Sequence, residues 1–191
     1  MSDKLKLVAV SGGLQRPSRT LALVEAIIAQ LADHLPLDVH IVELSEIARD
    51  VGVTLDRRQA SVEVESHLRA IEQADALIVA SPVFRASFTG LFKHLFDLIG
   101  QDALLDVPVL LAATGGSERH ALVLEHQLRP LFSFFQARTL PIGVYASTHD
   151  FTDYEVTREA LRERIALAAE RAVPWLASRH PSDSLPTALA I

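Results

Sequence analysis

Five short runs of apolar, largely β-branched residues alternate with longer segments of helical period, and this alternation most narrows the folds open to the chain. The runs lie at residues 5–10, 39–44, 76–80, 109–113 and 140–146. The third and fourth are apolar almost throughout, as strands are when both faces of a parallel sheet are covered. Between the first two runs, Leu23, Val24, Ile27, Ile28, Leu31 and Leu35 recur at three- and four-residue spacing behind Ser18, a candidate N-cap. Phe88, Phe92 and Phe96 form a stripe interleaved with Leu91, Leu95 and Leu98. Further helices are expected over 62–73, 117–134 and 154–176, whereas 48–60 is polar and without a clear period. Right-handed crossovers of this length put helices on both faces, so the expected fold is α/β, a doubly wound five-stranded parallel sheet. At 191 residues the chain is long enough for one good core and short for two. Residues 1–177 read as a single domain, and 178–191, with two prolines and no period, as a C-terminal tail.

Composition removes several classes of chemistry. Zero cysteines exclude a disulfide scaffold, a thiolate nucleophile and a zinc–cysteine site, so any redox reaction must come from a bound organic cofactor. The net charge of −6 comes without a Lys/Arg block, which argues against a nucleic-acid partner. No run approaches the roughly 20 apolar residues that span a bilayer, and the opening Met1-Ser2-Asp3-Lys4 carries no signal-peptide core, so a cytoplasmic, membrane-free protein is expected. The histidines are scattered. His120 and His126 stand at i, i+6 and not i, i+4, so no metal site is expected.

In an open α/β sheet, ligands bind outside the carboxyl ends of the strands where the winding reverses. After the first strand comes Ser11-Gly12-Gly13-Leu14-Gln15-Arg16-Pro17-Ser18-Arg19-Thr20, then a helix. Glycine backbone, hydroxyls, two arginines and a helix N-terminus suit a terminal phosphate, although neither a Walker loop nor GxGxxG is present. After the third strand, Ser81-Pro82-Val83-Phe84-Arg85 offers a stiffened apolar wall for a planar ring. Thr114-Gly115-Gly116-Ser117 follows the fourth strand and frees backbone N–H groups to point inward. Each loop alone also reads as an ordinary capped βα turn, and Phe84 as the head of the phenylalanine stripe. Their convergence on neighbouring strand ends fits FMN. Glu43, which ends the second strand, reads as surface charge.

On the residues SGGLQRPSRT, ASPVFRASFTGLFKHLFDLI, DALLDVPVLLAATGGSERHALVLEHQLRPLF and STHDFTDY, the chain resembles the NAD(P)H-dependent FMN reductases of flavodoxin-like fold. It is most similar to those paired with alkanesulfonate and methanesulfonate monooxygenases. The resemblance implies strand order 2-1-3-4-5. It places the FMN phosphate at Ser11, Arg16, Ser18, Arg19 and Thr20, and the ring against Pro82, Val83, Phe84, Arg85 and Thr114, Gly115, Gly116 and Ser117. Many relatives have Tyr where this chain has Phe84. A π-type bulge near the flavin at a tetramer interface is also implied, with His126 as its inserted residue. The run Leu131-Phe132-Ser133-Phe134-Phe135 fits either subunit contact or intrachain core. NADH or NADPH would pass hydride to FMN, with positioning and charge stabilisation supplied by the protein and no catalytic side chain named. Reduced FMN would then leave for a flavin-dependent monooxygenase, from a homo-oligomer (dimer or tetramer). Two alternatives share the fold: an FMN-retaining quinone or azo reductase, and a flavodoxin-type electron carrier.

Overall fold

A computed structural model describes residues 4–177; the tail expected at 178–191 lies outside the described residues. Its backbone is a sheet of parallel strands. They are β1 (Leu5–Ser11), β2 (Leu37–Glu43), β3 (Ala76–Pro82), β4 (Pro108–Gly115), β5 (Arg138–Thr139) and β6 (Val144–Ser147), in the order β2-β1-β3-β4-β5 with β6 also beside β4. Side chains alternate between the faces of β1. Val8 and Val10 enter a core capped by α2 (Leu44–Val53), α3 (Val62–Glu72) and α4 (Gly90–Asp97), whereas Leu5, Leu7 and Ala9 meet α1 (Arg19–Ala32) on the other face. With helices on both faces and the order 2-1-3-4-5, this is the expected doubly wound flavodoxin-like fold.

β3 and β4 are buried along nearly their whole length, as their unbroken apolar runs require. The phenylalanine stripe is core: Phe92 and Phe96 are sealed, and Phe96 meets Phe132 edge-on with ring centroids 4.9 Å apart. In the later apolar run, Phe132 and Phe135 are buried within the chain and Phe134 is exposed.

Four expectations change. The fifth strand is split, because Pro141 cannot donate a ladder hydrogen bond and the chain leaves the sheet until Val144. The helix expected over 117–134 is a 3₁₀ turn (Glu118–His120), a π-helical turn (Leu124–Leu128) that contains His126, and a short α5 (Arg129–Phe134). The helix expected from residue 154 begins at Glu159 as α6 (Glu159–Ala177). Before it, β7 (Phe151–Thr152) and β8 (Glu155–Val156) form a small hairpin. The polar stretch 48–60 is partly helical, since Leu44, Ile47 and Val51 bury one face of α2.

Candidate functional site

Parallel pairing brings the strand ends level. Ser11 lies opposite Glu43 and Ala80, Pro82 opposite Thr114, and Gly115 opposite Ser147. Above this row is a cleft of about 410 Å³. Of the residues singled out by sequence, Ser18, Arg19, Thr20, Pro82, Val83, Phe84, Thr114, Gly115 and Gly116 line it, from three separate loops. Arg85 is exposed, Ser117 borders the cleft through Gly116, and Ser11 is buried at the end of β1, two residues before Gly13 of the lining. Sequence reading missed Ser147, Thr148, Phe151 and Tyr154, which also line the cleft from the β6–α6 connection. The only local signal was the string STHDFTDY, whose Ser147 and Asp150 form a capping box. Buried Asp150 accepts from the Ser147 N–H at 2.7 Å and its hydroxyl at 2.9 Å.

The β1–α1 loop is built around an anion-binding helix end. Ser18 caps α1 by accepting from the Leu21 N–H at 3.2 Å. Among the described residues the Arg19 and Thr20 amides have no hydrogen-bond partner, as expected of a first helical turn. The Ser11 hydroxyl is fully buried and also has no partner. Gly12 holds the loop down by donating to the Ala80 carbonyl at 2.7 Å, and a Cβ there would sit 2.8 Å from the Phe92 ring. No other residue type fits that approach. Thr20 reaches across the cleft floor to Thr114, hydroxyl to hydroxyl at 2.7 Å.

Arg16 is directed elsewhere. Its guanidinium forms a bidentate pair with Glu43 and also meets Glu46 at 2.8 Å. Glu43 is therefore not the surface charge read from sequence: it is 5% exposed, and its charge survives burial because Arg16 and Ser45 both donate to it. The Arg16 hydrogen bond pulls the Glu43 carboxyl below its ordinary range against the opposing effect of burial, and the Arg16 pKa rises correspondingly. Of the two loop arginines, the one lining the cleft is Arg19, whose guanidinium lies 5.1 Å from the Tyr154 ring centroid.

Two tight turns carry the cleft's aromatic walls. Phe84 and Ser87 exchange backbone hydrogen bonds at 2.8 and 3.2 Å around Arg85 (φ 50) and Ala86 (φ 68). The β7–β8 hairpin turns through Asp153 (φ 47) and Tyr154 (φ 66). Left-handed backbone at both central residues is the type I′ arrangement that matches strand twist, and neither turn contains glycine. Phe84 is thereby held out at the cleft, 54% exposed, and not folded into the phenylalanine core.

Beyond β4, the Gly116 and Ser117 amides have no hydrogen-bond partner among the described residues. The loop after β1 thus offers N–H and O–H donors with one arginine, the turn after β4 offers two free amides, and Pro82, Val83, Phe84, Phe151 and Tyr154 add apolar and aromatic lining. This donor set fits a flat ring with a phosphate tail, and a buried hydroxyl lacking a partner fits a site completed by a ligand.

Sheet order and a switch-point cleft define a flavodoxin-like α/β protein with its ligand site at the carboxyl ends of the strands. The sequence profile described as NADPH-dependent FMN reductase matches residues 5–152. The chain is 65% identical over 174 residues to the NADH-dependent FMN reductase SfnF of Pseudomonas fluorescens (strain Pf0-1), covering 91% of this chain and 93% of that protein. It is 62% identical over 179 residues to FMN reductase (NADPH) of Pseudomonas aeruginosa, covering 94% and 96%. The X-ray structure of an oxidoreductase from Corynebacterium diphtheriae superposes with a TM-score of 0.80 at 38% identity, covering 93% of this chain and 99% of that one. The chain belongs to the NADPH-dependent FMN reductase family. It is an NAD(P)H-dependent oxidoreductase that works with FMN and NADH or NADPH. Among the described residues no helix is long and apolar enough to cross a membrane.

Proposed function

We propose that FMN sits along this cleft with its phosphate at Ser11, Ser18, Arg19 and Thr20, and its ring between the Pro82–Val83–Phe84–Arg85 wall and the Thr114–Gly115–Gly116–Ser117 turn. Arg16, paired with Glu43, shapes the phosphate loop. One observation carries the reading: groups without a hydrogen-bond partner among the described residues gather at the strand ends around one cleft, namely the Arg19 and Thr20 amides, the Gly116 and Ser117 amides, and the buried Ser11 hydroxyl at the end of β1. When bound, FMN accepts hydride from NADH or NADPH. The Gly116 and Ser117 N–H groups favour the negative charge that this brings to the ring, and the apolar wall keeps water from it. No acid–base side chain is required.

In this reading, reduced FMN leaves for a partner monooxygenase that acts on sulfonates, supported by the resemblance of the chain to reductases of such two-component systems. Residues 1–177 act as one domain, in a cytoplasmic homo-oligomer that uses the π-helical turn at its interface. The test is FMN titration followed by NADH and NADPH turnover with and without added flavin. NAD(P)H oxidation should appear only with flavin and rise with excess FMN. Turnover untouched by stripping and re-adding FMN would refute it. Yellow flavin kept through gel filtration, with ping-pong kinetics, would make the chain an FMN-retaining quinone or azo reductase instead.

A further inference from the structure

Tyr145 lies outside the cleft lining, on the helix-covered side of β6, and no step so far uses it. Its register partner on β4 is Ala113, and its hydroxyl donates to the Ser117 carbonyl at 2.6 Å. The same oxygen fills the space beside Gly115: a Cβ there would lie 2.2 Å from the Tyr145 hydroxyl and 3.1 Å from its ring Cζ, whereas a Cβ on Gly116 would meet nothing within 4 Å. The phenol thus makes the shorter of two hydrogen bonds to the Ser117 carbonyl, the other coming from the His120 N–H at 3.3 Å, and it excludes any side chain at Gly115. Between these two contacts lie the unpartnered Gly116 and Ser117 amides. Burial first, then Glu118 and Asp150, push the phenol up to about 12, so the hydroxyl stays protonated and a donor throughout the neutral range.

We propose that Tyr145 is a positioning residue for flavin reduction. Its hydroxyl pins the Ser117 carbonyl from behind, so that the Gly116 and Ser117 amides face the ring at the place where negative charge gathers. This rests on the reading that the turn after β4 contacts flavin. It assigns the length and donor of a tyrosine to a position where phenylalanine would fill the core equally well. The pin acts more on reduced than on oxidised FMN, because donors gain more from an anionic acceptor than from a neutral one.

The experiment is a double-mutant cycle between Tyr145→Phe and Gly115→Ala, read in the thermal midpoint without flavin, the FMN dissociation constant and the midpoint potential of bound FMN. Tyr145→Phe should weaken oxidised FMN about twofold and reduced FMN about tenfold. That fivefold difference corresponds to a potential about 20 mV lower, at about 30 mV per tenfold for two electrons. Gly115→Ala alone should weaken FMN roughly tenfold or more through overpacking. In the Tyr145→Phe background its effect should shrink, because the clashing oxygen is gone. A folded Tyr145→Phe variant with unchanged affinity and potential overturns the proposal, as do strictly multiplicative effects in the cycle. If folded Gly115→Ala binds FMN like the parent, the turn does not contact flavin and the underlying reading fails instead. Should Gly115→Ala not fold, the potential of Tyr145→Phe decides alone.

Discussion

The hydroxyl pair that joins the first and third cleft loops makes a quantitative prediction. Thr20 and Thr114 are 3% and 7% exposed, and their oxygens are 2.7 Å apart. Thr20→Val and Thr114→Val each delete one hydroxyl while nearly keeping side-chain shape. Valine and threonine have similar helix propensity, and both suit strands, so neither α1 nor β4 is itself perturbed. Each single change strands the other hydroxyl in a buried place, at about 1–3 kcal/mol. The double variant removes both groups and leaves nothing unsatisfied, so its cost should lie well below the sum, with a coupling of about 1–2 kcal/mol. In a domain of this size each kcal/mol moves the melting temperature by about 2–4 °C. Urea unfolding of flavin-free protein, followed by far-UV circular dichroism at constant m-value, measures the cycle. Additivity within about 0.5 kcal/mol would refute a buried, mutually satisfied pair.

Three further outcomes follow from particular groups. Ser11→Ala should leave flavin-free stability unchanged, or raise it by up to about 1 kcal/mol, because it removes a buried hydroxyl without a partner; the same variant should bind FMN more weakly in a titration. The Glu43 carboxyl is held below its ordinary value by Arg16, so its contribution to stability is complete above the unfolded value and lost as pH falls through the folded one. Thermal scans from pH 7 down to about pH 3 should therefore show a shallower loss for Glu43→Gln than for the parent, and equal slopes would remove this group from the acid response. Ala86→Gly relieves a left-handed residue at φ 68. Less the added unfolded-state entropy, it should stabilise by about 0.5–1 kcal/mol in chemical unfolding.

What could be read from sequence depended on the range of the determining contacts. β3 and β4 announce themselves because burial on both faces leaves no polar position, and the cleft loops are visible because each directly follows a strand. The β7–β8 hairpin was hidden: two-residue strands are too short for any period, and its turn, Asp153-Tyr154, carries no glycine. The π turn at Leu124–Leu128 was legible only through the family resemblance, which put its inserted residue at His126, because one inserted residue barely alters a helical period. Pro141 was a legible warning of the break before β6. Glu43 was misread because its burial depends on Arg16, 27 positions away in sequence. Tyr145 gave no signal, since its role lies in what its oxygen touches.

The pairing of Arg16 with Glu43 and Glu46 also sets the range over which the cleft acts on a ligand. On the proposed reading, a phosphate at the head of α1 would share its surroundings with a guanidinium whose field two carboxylates already cancel. Arg19 is then the one loop guanidinium that faces the cleft with its charge uncancelled by a carboxylate among the described residues, beside dipoles and hydroxyls that act only at contact. The long-range pull of the loop on an anionic ligand is then that of one guanidinium and not two, and added salt screens that single charge.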